Sequence, residues 1–123
     1  MNLLLDTHII LWWLDNSPQL SAQHTALIAD LHNLCFISAA SIWEINIKRA
    51  LGKLEIPHDC IHELRSEGFI ELPVTWEHAD RVQTLPAIHQ DPFDRILIAQ
   101  AMCNRLTLVT ADRYIQRYPV ETA

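Results

Sequence analysis

Two aspartates lie close together just before a long apolar stretch in the last third of the chain. Pro92 suits the first position of a helix, which makes Asp91 the predicted N-cap and Asp94 the third helical residue. The residues three, four and seven positions after Asp94 are apolar, so this carboxylate continues a core-facing stripe. A charge on that stripe is costly unless something compensates for it. We interpret Asp91 first as a helix cap and Asp94 as part of a site.

Other acidic residues lie where predicted strands end or helices begin. Asp6 directly follows the apolar run Leu3–Leu5, and Asp112 follows the predicted strand Leu106–Val109 by three residues. Glu44 falls near the start of a predicted helix. In an open parallel sheet, ligands bind at the carboxyl ends of the strands, where helix N-termini also point. We therefore expect four carboxylates to converge in one cleft: Asp6, Glu44, Asp94 and Asp112.

Carboxylates that share a cleft raise one another's pKa, because like charges resist ionising together. A hard divalent cation with oxygen ligands is the usual compensation, and Mg²⁺ or Mn²⁺ suits such a site. A metal held by carboxylates can activate water and stabilise charge on a phosphodiester. The four acidic residues thus indicate metal-assisted hydrolysis.

Some of these acidic residues also have purely structural explanations. Glu44 stands three residues after Ser41, which is the spacing of a capping box. Asp112 fits an ordinary turn aspartate. Both explanations stay open beside the metal-site hypothesis.

Basic and aromatic residues give weaker indications. Lys48, Arg49 and Lys53 form the densest basic group, which we interpret as a solvated face with contact to an RNA backbone as the alternative.

The tryptophans stand at helical positions among aliphatic residues, which favours a place in the core over base stacking; they are Trp12, Trp13, Trp43 and Trp76. The seven histidines include one i,i+4 pair, His58 and His62, without a further ligand motif, so no histidine metal site is expected.

Composition limits the class of protein. A chain of 123 residues with a net charge of −6 predicts a single domain over residues 1–123 and argues against a broad basic surface for polyanions. Cys35, Cys60 and Cys103 are odd in number and widely spaced, which favours a reducing compartment. Asp6 and His8 interrupt the apolar N-terminal run, and no apolar window is long enough for a membrane span. We expect a cytoplasmic protein that does not contact the membrane.

Short apolar runs alternate with helix-like segments along the whole chain, which predicts a parallel sheet covered by helices on both faces. The predicted strands are Leu3–Leu5, Leu34–Ile37, Phe69–Leu72 and Leu106–Val109, with Val120 at the start of a terminal strand. The predicted helices are Ile9–Leu14, Ser21–Leu31, a helix from Ser38 or Ser41 to Leu51, Pro57–Glu67, a helix between Thr75 and Leu85, Pro92–Asn104, and a turn at Tyr114–Tyr118.

Four segments together are similar to the motifs of one family. In order and spacing, Leu3–His8, Ser41–Ile45, His89–Ala101 and Leu108–Asp112 match a PIN domain. The chain resembles the VapC-like toxins of bacterial type II toxin–antitoxin systems, in the branch with an Asp-Pro-Phe-Asp-Arg signature. The resemblance extends over essentially the whole chain and implies a three-layer α/β/α sandwich with a central parallel sheet.

The resemblance also implies an activity and its residues. It implies a Mg²⁺- or Mn²⁺-dependent endoribonuclease in which Asp6, Glu44 and Asp94 match the three core acidic positions and Asp112 the fourth, more variable one. Thr110 matches a hydroxyl position beside the site, and Asp91 belongs to the branch signature. RNA is the implied substrate, a cognate antitoxin that blocks the acidic cleft is the implied partner, and a homodimer is the implied assembly.

Two other classes of function fit part of the same pattern. The opening Leu3–His8 is also similar to the first motif of haloacid-dehalogenase-type phosphatases, but His8 stands where they carry a second aspartate. The other alternative is a non-catalytic α/β module whose acidic cleft binds a partner peptide. Such a module predicts no loss of function when the carboxylates are neutralised.

Overall fold

The computed structural model describes residues 1–56 and 59–123. Its strands are β1 (Asn2–Leu5), β2 (Leu34–Ser38), β3 (Ile70–Leu72) and β4 (Thr107–Val109). Its helices are α1 (Thr7–Leu14), α2 (Ala22–Ala29), α3 (Ala39–Ala50), α4 (Cys60–Ser66), α5 (Trp76–Arg81) and α6 (Pro92–Asn104), with 3₁₀ turns at Val82–Thr84 and Ile115–Arg117.

The four strands form one parallel sheet in the order β3-β2-β1-β4. The central strand β1 pairs with β2 through Leu3 and Cys35 and with β4 through Leu3 and Thr107. Residues Leu3–Leu5 are fully buried, as expected for a strand that is covered on both faces. The predicted parallel sheet is confirmed.

Successive side chains of β1 point to opposite faces of the sheet, and each face carries its own core. On one face Leu3 and Leu5 pack with residues of α1 and α3, including Ile9 and Ile45. On the other face Leu4 packs with α6 residues, which include Leu97. Helices therefore cover both faces of the sheet. The expected three-layer α/β/α architecture is confirmed.

Several boundaries differ from the sequence prediction. The predicted helix Pro57–Glu67 begins with two residues, Pro57 and His58, that lie outside the described part of the chain, and α4 begins at Cys60. In place of a strand from Val120, Thr122 forms an isolated parallel bridge with Leu108 of β4.

The tryptophans were not all predicted correctly. Trp43 is 65% exposed and Trp76 is 92% exposed, so their assignment to the core was wrong. Trp76 is the first residue of α5, and Trp43 lies near the start of α3. Trp12 and Trp13 are half-buried and pack against the core that contains Leu3. Residues 1–56 and 59–123 contain no helix that is long and apolar enough to cross a bilayer.

Candidate metal centre

Asp6 lies at the carboxyl end of the central strand and is the N-cap of α1. Its Oδ1 accepts a hydrogen bond from the backbone N–H of Ile9 at 2.9 Å, and its Oδ2 accepts one from the hydroxyl of Thr110. The residue is 3% exposed. Burial raises the pKa of Asp6 although both hydrogen bonds act to lower it. The hydrogen bonds thus hold this carboxyl in place, although burial makes its ionised form less favourable.

Thr110 joins the ends of the two neighbouring strands β1 and β4. It directly follows β4, and its hydroxyl donates to Asp6 while it accepts from the backbone N–H of Asp112 at 3.0 Å. The N–H of Asp6 donates to the carbonyl of Val109 at 3.1 Å, so the backbone supports the same junction. The fully buried hydroxyl of Thr110 therefore orients both the carboxylate of Asp6 and the loop that carries Asp112.

Asp94 lies in the first turn of α6. Asp91 is the N-cap of this helix and accepts from the N–H groups of Phe93 at 2.8 Å and Asp94 at 3.1 Å, which confirms the predicted cap. The pKa of Asp94 is raised to about 6, first by burial and then by the charge of Asp91, with smaller contributions from Asp112 and Asp6. The predicted apolar stripe is also present, because Leu97 is fully buried in line with Asp94.

Asp112 lies in the loop after β4. It has the hydrogen bonds of a turn aspartate, and it also lies close enough to other carboxylates to affect their pKa. Its Oδ1 accepts from the N–H of Tyr114 at 2.7 Å and of Ile115 at 3.4 Å, as a turn aspartate does. Its charge also raises the pKa of Asp6 and of Asp94. Asp6, Asp94 and Asp112 therefore interact with one another, and we call these three residues the acidic cluster.

His89 stands beside the acidic cluster, where no histidine was expected. Its Nε2 lies 2.9 Å from Oδ2 of Asp94, and its ring stacks on Tyr114 with centroids 5.1 Å apart and planes 13° apart. One ligand atom each from His89, Asp94 and Asp112 lies within 4.8 Å of the other two. Within residues 1–56 and 59–123, this is the group of three or more histidine, cysteine or acidic side chains that could hold a metal ion.

Glu44 lies on α3 and is buried. Its Oε2 is 3.2 Å from Nζ of Lys48, whereas its Oε1 is buried without a hydrogen-bond partner among the described residues. The capping-box explanation of Glu44 is wrong, because α3 begins three residues earlier than that explanation requires. Its N-cap is Ser38, and Ser41 lies inside the helix, where its hydroxyl accepts from the hydroxyl of Thr7 at 3.1 Å.

The contact between Thr7 and Ser41 also limits where Glu44 can lie. Thr7 directly follows Asp6, so Ser41 brings the first turn of α3 next to the start of α1. Glu44 comes three residues after Ser41 and shares its face of the helix. The carboxylates that raise the pKa of Asp94 are Asp91, Asp112 and Asp6. The structure thus joins three of the four predicted residues in one electrostatic cluster and keeps Glu44 on the adjoining helix.

The residues of this region fit a divalent cation. Asp6 and Asp94 are carboxyls with a raised pKa, which a nearby cation would offset. The buried Oε1 of Glu44 lacks a partner, and such an atom costs free energy until something binds it. The donors are mainly carboxylate oxygens, which Mg²⁺ and Mn²⁺ accept.

A family model describes the same fold. The PIN domain model matches residues 3–121, which is nearly the whole chain. The chain belongs to the PIN domain family. No curated protein matches this PIN domain by sequence.

Solved structures share the fold of this PIN domain. The structure of VapBC2 from Rickettsia felis bound to a DNA fragment from their promoter matches with a TM-score of 0.74 and 17% identity, over 100% of this chain and 98% of that chain. DNA-bound VapBC from Salmonella typhimurium matches with a TM-score of 0.71 and 16% identity, over 100% and 97%. The PIN domain endonuclease Utp24 matches with a TM-score of 0.53 and 20% identity, over 94% and 74%. The expected VapC-like PIN fold is therefore confirmed.

The basic group of this PIN domain is less solvated than expected. Lys48 pairs with Glu44, and Arg49 donates from Nη1 to Oδ1 of Asn46 at 3.2 Å. Both are half-buried, and Lys53 is exposed. The interpretation as a solvated face therefore fits Lys53 and not the other two. Contact of these residues with an RNA backbone stays a prediction.

His89 was not predicted as a site residue, because the expected sequence signal for a histidine site is a pair of histidines one helical turn apart. His89 lies outside α6, five residues before Asp94, and only the fold of the intervening segment brings the two together. A usable signal was its place directly before the Gln90-Asp91-Pro92 turn, where a side chain can return to the first turn of the helix.

Proposed function

We propose that this PIN domain is a divalent-metal-dependent endoribonuclease and acts as the toxin of a type II toxin–antitoxin pair. The observation that carries the proposal is the acidic cluster at the carboxyl ends of β1 and β4, in which Asp6 and Asp94 have a raised pKa. Carboxylates so close together repel one another when ionised, and a bound cation would offset this repulsion.

The metal ligands in this proposal are the acidic cluster and Glu44, with Mg²⁺ or Mn²⁺ as the ion. When bound, the ion supplies an activated water and offsets negative charge on the phosphodiester. Thr110 supports the proposal as the group that orients Asp6. Asp91 supports it as the cap that fixes the first turn of α6 and with it Asp94.

The bound ion must also attract the RNA. The chain has a net charge of −6 and its sequence predicts no broad basic surface, so the ion supplies positive charge that the chain lacks. The N–H groups of Phe93 and Asp94 in the first turn of α6 already donate to Asp91, so they do not bind the phosphate. Attack by external water leaves a 5′-phosphate and a 3′-hydroxyl, and these ends identify the reaction.

The toxin role and the antitoxin partner are inferred from the fold relatives and from the sequence resemblance. VapBC from two organisms has this fold, and a toxin–antitoxin complex from Klebsiella pneumoniae is similar to it as well. By analogy, we propose that a cognate antitoxin peptide covers the acidic cluster. Its binding should stop cleavage, because the peptide and the RNA compete for the same cleft.

We propose a homodimer in the cytoplasm. Trp43 is exposed beside an apolar pocket that it lines together with Val74, Phe93 and Ile96, and this surface is suited to self-association. The three cysteines are free, as in proteins of a reducing compartment. Light scattering on the purified chain measures the assembly: a mass of one protomer at all concentrations contradicts the dimer.

Cleavage of a labelled RNA with Mg²⁺, with Mn²⁺ and with EDTA tests the activity. We expect cleavage with either ion, none with EDTA, and none with Asp94→Asn. Asp80→Asn is the matched control, because Asp80 is an exposed helical aspartate outside the acidic cluster. Equal cleavage by wild type and Asp94→Asn contradicts the proposal, whereas no cleavage by the wild type with either ion favours a binding module.

A further inference from the structure

His89 is held in one orientation by several contacts. Its backbone N–H donates to the hydroxyl of Tyr118 at 2.8 Å, and the same hydroxyl lies 3.2 Å from its carbonyl. Tyr118 is buried, and its hydroxyl also accepts from Nη1 of Arg95 at 3.2 Å. These bonds fix the backbone of His89, two residues before the helix cap Asp91.

The ring of His89 is fixed independently of its backbone. It stacks on Tyr114, and the backbone N–H of Tyr114 is bound to Asp112 at 2.7 Å. At the ring's other side, Nε2 lies 2.9 Å from Oδ2 of Asp94. The imidazole is therefore positioned between the loop of Asp112 and the carboxylate of Asp94.

The distances suit a shared ion. Two ligands on adjacent corners of an octahedral ion, each at about 2.1 Å, are about 3.0 Å apart. The separation of Nε2 from Oδ2 of Asp94 is 2.9 Å, and an oxygen of Asp112 completes a set within 4.8 Å. The side chains of His89 and Asp94 are largely shielded from water, with 26% and 16% exposed. A nitrogen and two carboxylate oxygens can thus meet at one point.

A second histidine–aspartate pair shows what is special about His89. His32 Nδ1 lies 3.1 Å from Oδ1 of Asp30, but the side chain of His32 is 97% exposed. No group of three or more possible ligands within residues 1–56 and 59–123 includes this pair. A surface hydrogen bond accounts for His32, whereas His89 also has a second carboxylate within reach.

We propose that Nε2 of His89 is a direct ligand of the divalent ion, in a set with Asp94 and Asp112. The proposal rests on the proposed function only in that the site holds a divalent ion, and it requires no RNA. An imidazole ligand is accepted more readily by transition-metal ions than by Mg²⁺, which prefers oxygen. His89 therefore shifts the metal preference of the site towards Mn²⁺.

Pulsed electron paramagnetic resonance of Mn²⁺ bound to the protein tests this assignment. We expect the spectrum to show modulation from a coordinated ¹⁴N nucleus. In wild-type protein grown with ¹⁵N-histidine, the modulation must move to the ¹⁵N frequency, and this experiment does not depend on a variant that folds. Bound Mn²⁺ without nitrogen coupling overturns the proposal, and so does a wild-type protein that binds no Mn²⁺.

Substitutions assign the nitrogen to one of the seven histidines. His89→Asn should lose the modulation and bind Mn²⁺ about tenfold more weakly, with a change in Mg²⁺ affinity below about threefold. His32→Asn is the matched control and should leave the modulation and both affinities unchanged. Modulation that survives in His89→Asn overturns the proposal.

The two proposals can fail separately. Nitrogen-coupled Mn²⁺ in a protein that cleaves no RNA supports the ligand assignment and contradicts the nuclease. Cleavage of RNA by a protein whose Mn²⁺ shows no nitrogen coupling supports the nuclease and contradicts the role of His89.

Discussion

The hydroxyl of Thr110 donates a hydrogen bond to Oδ2 of Asp6, and this bond joins residues 104 positions apart in the chain. It connects the carboxyl ends of the neighbouring strands β1 and β4, next to the acidic cluster. Because the same hydroxyl accepts from the N–H of Asp112, one side chain couples two members of the cluster.

Thr110→Val tests this coupling, since valine keeps the shape and removes the hydroxyl. The buried carboxylate of Asp6 and the N–H of Asp112 each lose a partner, so the free energy of unfolding should fall by about 1–3 kcal/mol. Urea denaturation at neutral pH measures the change. Thr25→Val is the control: Thr25 is exposed, and its hydroxyl donates locally to the carbonyl of Ser21, the N-cap of α2. Equal stability of Thr110→Val and wild type contradicts the coupling.

Asp94 should make the stability of the metal-free protein depend on pH. Its pKa is 3.8 unfolded and about 6 folded, so the folded state binds the proton more tightly. Its contribution to stability is therefore present below pH 4 and is lost as the pH rises through about 6. Asp94→Asn removes the ionised form and should stabilise the protein at pH 8 by about 1–3 kcal/mol, with a difference near zero at pH 4.

Thermal unfolding in EDTA at several pH values measures this dependence. Asp80→Asn, at an exposed position, should follow the wild-type curve. If Asp94→Asn is less stable than wild type at pH 8, the ionised carboxylate of Asp94 does not destabilise the folded protein, and its pKa is not raised.

Mn²⁺ should stabilise the folded protein. An ion at 100 times its Kd adds about 2.7 kcal/mol to the free energy of unfolding, and this should raise Tm by roughly 10 °C. The increase should disappear in Asp94→Asn and be reversed by EDTA. Asp30→Asn, in the exposed pair with His32, should keep the full increase. An increase of the same size in Asp94→Asn would show that the ion binds elsewhere.

Lys48→Met separates two roles of the basic group. Nζ of Lys48 lies 3.2 Å from the buried carboxylate of Glu44, so its removal leaves a buried charge without its partner. We expect a loss of about 1–3 kcal/mol in the free energy of unfolding, which chemical denaturation measures. Lys53→Met, at an exposed position, should change stability little. If Lys48→Met weakens RNA binding without loss of stability, Lys48 acts as a phosphate contact instead.

Local features of the molecule could be predicted from the sequence. The cap by Asp91, the place of Asp94 in the first turn of α6 and the apolar stripe behind it depend on residues a few positions apart. The alternation of apolar runs and helices was enough to predict the parallel sheet, because strands buried on both faces must be apolar throughout. Placing Asp6 directly after such a strand also predicted the edge of the sheet on which it lies.

Long-range packing decided the rest. Ser38 rather than Ser41 caps α3, and Ser41 instead accepts a hydrogen bond from Thr7 of a different helix. His89 reaches Asp94 only through the fold of the turn between them, and Thr110 reaches Asp6 only because β1 and β4 are neighbours. The sequence by itself determined which carboxylates are available and which elements carry them. The tertiary structure decided which of them meet and that a histidine joins them, since contact between distant residues depends on strand order, which no local pattern specifies.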